Sequence, residues 1–357
     1  MNTGKRIKTS RAKRGFTLVE LLVVIAIIIL LVGLLLPAIM GVRASFERAA
    51  SKFEVQALDN AVENYRTKYG DYPPDASSWG LTERHLRKAF PNILSSELSL
   101  LKGFDIDPAE ALVFYLGGFS SDSQRPFTGK GGPLTVTGGT PAAPICKYNA
   151  SRENSFFEFP PARLTLNSDG TASLDEATLF NTGKADDLFP VFMGRLNTKE
   201  AGVPYVYFDS RTYSSVIGGT AAAPIFNFYQ PSNVLTVTGP AVNRGDLGAV
   251  RPYLAEVTGA GAFKFENSKT FQIIAPGIDG RYGGRLLAVG QQWFSSSGDS
   301  KGKSFTYNVP SMIMVPDTNA TKKLQLNENL PIQGLEQPAH NNISNFTETP
   351  TIGESAG

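Results

Sequence analysis

One carboxylate, Glu20, stands inside the most apolar stretch of the chain, Phe16 to Met40. Leu21 to Leu36 is apolar throughout apart from the mild Gly33. Ahead of it lie Lys5, Arg6, Lys8, Arg11, Lys13 and Arg14, with no acid in the first fifteen residues. An ionised carboxylate in hydrocarbon is costly unless it pairs with a cation or sits near the interface. Glu20 can therefore lie at headgroup level, or it needs a cation that the leader does not present at the right depth. A cut after Gly15 would create one, the α-amine of Phe16. Within one helix that amine lies one turn from Glu20, and in an assembly a neighbour's amine could serve.

The element that must hold this pair is a helix of membrane length. A bilayer core takes ~20 apolar residues, and Phe16–Met40 has no polar face of the kind a soluble helix shows. Six cations before the run, against Arg43 and Arg48 paired with Glu47 after it, orient the N-terminus inside and the rest outside. A cleaved secretory signal fits poorly, because the run is too long and Ala38-Ile39-Met40 lacks a second small residue.

The string Lys13-Arg14-Gly15-Phe16-Thr17-Leu18-Val19-Glu20 resembles the type IV prepilin cleavage and methylation motif. The resemblance implies that a prepilin peptidase cuts between Gly15 and Phe16 and N-methylates Phe16. It also implies that Glu20 neutralises the Phe16 amine of an adjacent subunit during filament assembly. Pro37 matches a proline frequent in such helices, and should weaken or kink this one. The implied partners are the peptidase, other pilin or pseudopilin subunits, an inner-membrane assembly platform and the lipid bilayer. The implied location is the bacterial inner membrane, single-pass, with a cytoplasmic N-terminus and a periplasmic or extracellular head.

Beyond the apolar run the helix is expected to continue. Val42, Phe46, Ala49, Phe53, Ala57, Ala61, Tyr65 and Tyr69 recur at three or four residues, with Arg48, Lys52, Glu54, Asp59, Glu63 and Lys68 mostly on other faces. Gly70 followed by Asp71-Tyr72-Pro73-Pro74 is a stop. An apolar stripe needs a partner layer, and a sheet from the later chain is the natural one. The arrangement resembles the pilin lollipop, and Tyr65 to Pro73 resembles the helix exit of type II secretion major pseudopilins. The predicted class is α+β, with a long N-terminal transmembrane helix packed on a mainly antiparallel head.

The organisation reads as a basic leader (1–15), a stem helix (16–70, its membrane part 16–40), a helical insert (71–118), a β-rich head (119–315) and a polar, partly disordered C-terminal region (316–357). In the insert, Thr82–Ala89 and Asp107–Leu116 are predicted helices, the second opening on Asp107-Pro108-Ala109-Glu110. Strands are predicted at 156–159, 163–166, 203–208, 225–229, 234–238 and 271–274. GGTPAAPI at 138–145 and GGTAAAPI at 218–225 echo each other and read as similar strand–loop pieces. Ser155–Leu164 and Tyr205–Tyr213 resemble phrases of the large pilin-like proteins of planctomycete-type bacteria.

In major pseudopilins a strand, a Gly-x-Asp-Gly loop and a later acidic pair build a calcium site. Phe271 to Gly284 resembles the strand and loop, so Asp279 is the candidate ligand. Asn341-Asn342 stand where paired acids are usual, and a plain β-turn with Asn caps is the competing reading. No other cofactor is expected.

Composition narrows the remaining classes. One cysteine, Cys146, excludes an intramolecular disulfide framework. Two histidines, His85 and His340, without partners at metal spacing argue against a histidine-rich metalloenzyme, and His85 is expected on the surface. Removing the six leader cations from 34 basic residues leaves 28 against 32 acids, so the positive charge is local and no nucleic-acid surface is evident. There is no GxSxG elbow, Walker loop or HExxH. The chain reads as a peptidase substrate and not as an enzyme. Its expected work is structural, as a subunit of a type IV pilus-like or type II secretion filament. The alternative is a membrane-tethered module that binds polysaccharide or a surface without polymerising.

Overall fold

The computed structural model describes residues 18–104, 106–140, 143–165, 188–195, 203–213, 215–220, 223–227, 229, 250, 252–258, 262–277, 282, 284–288, 291–294, 304–306 and 343–346. The chain divides into two units, Met1–Phe46 and Glu47–Gly357.

Helix α1 runs Leu18–Tyr69, uninterrupted through position 37. From Leu18 to Val32 its large apolar side chains are all exposed, between 46% and 78%. Among the described residues no helix is long and apolar enough to cross a membrane. The stretch predicted to span, Phe16–Met40, runs past the residues whose side chains are described at both of its ends.

In the second unit α1 contributes Val55, Leu58, Ala61, Val62 and Tyr65 to the core. This corrects the expected stripe. Positions 51, 55, 58, 62 and 65 face the head, whereas Phe53 is 70% exposed and Ala57 is also outside. Two apolar stripes of the same period run along this helix and converge at Ala61 and Tyr65, so spacing alone could not rank them. Gly70 ends α1 with φ +75°, donating its N–H to the Arg66 carbonyl at 2.7 Å; left-handed backbone at this position favours glycine. Lys88 Nζ caps the Gly70 carbonyl at 2.9 Å.

Three short helices follow: α2 (Trp79–Ala89), α3 (Ser95–Gly103) and α4 (Glu110–Leu116). The Asp107 carboxylate accepts from the N–H groups of Ala109 and Glu110 at 2.7 and 2.9 Å, which is why α4 starts there. Every residue of α4 is buried. Its last carbonyls receive the Arg152 guanidinium, Nη1 to Val113 O at 2.7 Å and Nη2 to Phe114 O at 2.5 Å.

The described strands are β1 (Leu134–Thr140), β2 (Ala143–Tyr148), β3 (Val206–Asp209), β4 (Val216–Thr220), β5 (Ala223–Phe226), β6 (Leu254–Thr258), β7 (Ala262–Phe265), β8 (Phe271–Ala275), β9 (Gly284–Ala288), β10 (Gln291–Phe294), β11 (Ser304–Thr306) and β12 (Ile343–Ser344). All named pairings are antiparallel. The architecture is therefore α+β with antiparallel sheets. The sheet bonded to α1 through Lys52–Ser344 and Asp59–Asn345 has the order β12-β8-β3, with β3 and β8 buried along their whole length. Predicted strands at 203–208, 225–229 and 271–274 correspond to β3, β5 and β8 with shifted ends. Residues 156–159 are not a strand; of 163–166, Arg163 ends a 3-10 turn (Pro161–Arg163), Leu164 makes a single bridge to Phe192, and residue 166 lies outside the described residues. The stretch 234–238 lies outside the described residues.

The two echoing segments fold alike. In β1–β2, Gly138, Gly139 and Thr140 face Ile145, Pro144 and Ala143. In β4–β5, Gly218, Gly219 and Thr220 face Ile225, Pro224 and Ala223. Each pairing shifts register immediately before its first glycine, between Val136 and Gly138 and between Val216 and Gly218. The same eight-residue pattern thus specifies the same bulged hairpin twice.

Candidate functional site

Glu20 falls in the first turn of α1, exposed, among the exposed apolar side chains of Leu18, Val19, Leu21 and Leu22. Gly15 and Phe16 lie outside the described residues, as does Asp279. Pro37 lies within α1. Among the described residues no group of three His, Cys, Asp or Glu side chains could hold a metal ion.

The polar residues of α1 beyond Phe46 do more than cover its outer face. Glu54 accepts a bidentate pair from Arg163, 2.6 and 2.9 Å, and a third bond from the Tyr205 hydroxyl at 2.5 Å. Arg163 stacks over Phe192, 4.1 Å from the ring centroid, and also binds the Met193 carbonyl at 2.9 Å. Such fork geometry is specific to arginine. Lys52 is buried and reaches the Ser344 carbonyl, and Asp59 accepts from the Asn345 amide. Burial pushes the Lys52 ammonium below its ordinary pKa, against the opposing pull of Asp59. Burial also raises Asp59. Lys52, Glu54 and Asp59, expected mostly on faces other than the apolar stripe, here tie the helix to the head.

The helix exit is fixed by a second arginine. Arg211 places Nε on Asp209 at 2.6 Å, Nη1 on Asp71 at 2.8 Å and Nη2 on the Tyr72 carbonyl at 2.9 Å. Asp209 is 1% exposed, and burial lifts its carboxyl to about 6 despite Arg211. Burial works on Asp71 in the same direction, yet Arg211, His85 and Lys88 hold it below its ordinary value. Next to it Asp75, fully buried, accepts from Ser77 Oγ at 2.6 Å, Asn227 Nδ2 at 2.8 Å, the Asp209 N–H at 3.2 Å and Thr212 Oγ1. These bonds hold the loop in which Ala76 adopts φ +61°.

His85 is not on the surface. It is 2% exposed, with Nε2 2.7 Å from the Tyr65 hydroxyl and Nδ1 3.8 Å from Asp71. A proton on Nδ1, facing the carboxylate, leaves Nε2 to accept from tyrosine. Burial lowers its pKa to about 4, with Arg211 acting in the same direction and Asp71 opposing. Because the folded value lies below the unfolded one, folding stability is intact at neutral pH and falls as pH drops from 6.5 towards 4. His85→Gln is expected to remove this dependence. The urea stability of the wild type should drop by about 3 kcal/mol relative to the variant between pH 7 and pH 4. Parallel pH profiles would contradict a neutral buried imidazole.

Sequence reasoning missed Arg163, Arg211 and the inward role of His85. A signal for the arginines was present, since both lie in the two family-like phrases, Ser155–Leu164 and Tyr205–Tyr213.

The N-terminal part of α1 is apolar, exposed and bears one acid, and the part beyond Phe46 is tied by arginine forks to the antiparallel sheets. Residues 10–36 match the Prokaryotic N-terminal methylation motif. The chain is 34% identical over 67 residues to the type II secretion system core protein G of Escherichia coli (strain K12), covering 19% of this chain and 46% of that protein. It is 35% identical over 63 residues to the protein of the same name from Aeromonas hydrophila, covering 18% and 44%. The chain thus spans less than half the length of the curated relatives it matches. No solved structure matches the chain. The N-terminal segment carries a prepilin-type methylation motif, and the stretch aligned with the secretion proteins is similar to pseudopilins.

Proposed function

We propose that the chain is a structural subunit of a type II secretion or type IV pilus-like filament. It is held in the inner membrane by its stem until extracted, with the head outside. The observation that carries this reading is the apolar exposure of α1: from Leu18 to Val32 every large apolar side chain is bare, and Val42, Phe46 and Phe53 continue the exposure along the helix. Such a surface is unfavourable in water and calls for lipid first and neighbouring stems afterwards. Inside lipid, association rests on close helix packing and on polar pairs such as Glu20 with a Phe16 amine, because lipid is as apolar as the helix.

Processing is tested by mass spectrometry of the polypeptide isolated from its own cells. The expected mass begins at N-methylated Phe16, and Gly15→Ala is expected to retain the leader. An intact methionine start in the native protein would overturn the reading.

Phe53 gives a test that leaves processing untouched. Its ring is exposed, so Phe53→Glu should leave the melting temperature of the head within a degree or two. The charge would nevertheless sit where a neighbouring stem or head must pack, and polymer recovered from sheared cells should fall about tenfold or more. Undiminished polymer would show that this face of α1 meets no neighbour.

A further inference from the structure

The C-terminal segment 343–346 is held by more than its strand. β12 has two residues, paired at Ile343 with Ala275 and at Ser344 with Ile274, on the edge of β8. So short a ladder contributes few hydrogen bonds. Both residues are nonetheless buried. The Ser344 carbonyl accepts from Lys52 Nζ at 2.6 Å. The Asn345 side chain is used at both ends, Oδ1 accepting from the Ile273 N–H at 2.9 Å and Nδ2 donating to Asp59 Oδ1 at 2.8 Å. The Asn345 N–H returns to the Ile273 carbonyl at 3.3 Å, and Phe346 packs on Tyr253 with centroids 5.5 Å apart. Lys52 and Asp59 both belong to α1, two turns apart, so the segment is cross-braced between the stem helix and β8.

We infer that Lys52 and Asn345 form a protein-built tie that fastens the C-terminal segment to α1 and β8 without a divalent metal. The chemistry of the donor set carries this. Calcium requires several oxygen ligands, most of them unshared and some anionic. At this junction the Ser344 carbonyl is engaged by an ammonium, the Asn345 oxygen by a backbone N–H, and one Asp59 oxygen by an amide. A buried lysine already supplies the positive charge and repels a second cation. These residues do not fit a calcium ion. Docking of residues 343–346 therefore rests on these direct bonds and not on a calcium ion held by the residues that make them.

The test uses the full-length chain in detergent micelles, with amide hydrogen exchange read on peptides covering Ile273 and 343–346. Wild-type exchange is expected to be unchanged within about twofold between EDTA and excess calcium chloride. Lys52→Met and Asn345→Ala are each expected to accelerate exchange there by about tenfold or more, in both media, while α2 peptides stay protected. Lys52→Arg, which keeps a cationic donor, should restore most of the protection. Acceleration of the wild type by EDTA, rescue of Lys52→Met by calcium, an unchanged Lys52→Met, or loss of α2 protection in that variant would each overturn the inference.

Discussion

Arg211→Met is expected to destabilise the head by about 3 kcal/mol at neutral pH. Three interactions disappear together: the Asp209 pair, the Asp71 pair and the bond to the Tyr72 carbonyl. The dominant effect is the charge left behind, because Asp209 is almost fully buried and retains only its bond to the Arg211 N–H at 3.0 Å. The pH dependence identifies the cause. Asp209 already titrates near 6, above an ordinary aspartate, and losing its guanidinium raises it further. A carboxyl whose folded pKa is raised is bound to its proton more tightly in the folded state, so its contribution is lost as pH rises. The deficit of the variant should accordingly be greatest at pH 7–8 and shrink towards pH 5 in urea titrations. A deficit independent of pH would place the loss in packing instead. Lys cannot rescue fully, since one ammonium cannot span three acceptors in a plane.

Glu20→Ala is expected to abolish polymer while leaving the head folded. Glu20 lies outside the unit that holds the described core, so thermal unfolding of the variant should match the wild type. If its carboxylate pairs with the new amine of a neighbouring Phe16, removing it leaves a buried cation without its partner, a cost of several kcal/mol per subunit contact, enough for at least a hundredfold loss of assembled material. The processed subunit should then accumulate in the membrane fraction, distinguishable from Gly15→Ala, which should accumulate with its leader attached. Normal polymer from Glu20→Ala would remove the charge-pairing account.

The polar residues of α1 show where linear reasoning stops. Helical spacing correctly predicted one long helix ending at Gly70, because glycine followed by Asp71, Tyr72, Pro73 and Pro74 leaves the backbone few ways to continue. The same spacing could not say which side of the helix meets the head. Phe53 and Val55 are both apolar and both periodic, yet the first is bare and the second is buried. Lys52, Glu54 and Asp59 look like a solvated face until Ser344, Arg163 and Asn345, more than a hundred residues away in sequence, are brought opposite them. His85, flanked by two arginines at Arg84 and Arg87, looks exposed for the same reason.

What the sequence determined alone is local: the leader charge, the cleavage motif with its one acid, the apolar length of the stem, its stop, and the bulged hairpin that the repeated Gly-Gly-Thr pattern forms twice. Each of these follows from a few neighbouring residues and the geometry of the backbone. Which face of the stem is bound, which arginines lock it, and how the last strand is fastened were decided only by the tertiary structure. Burial converts an ordinary lysine, aspartate or histidine into a tie, and burial is a property of what the rest of the chain places against it.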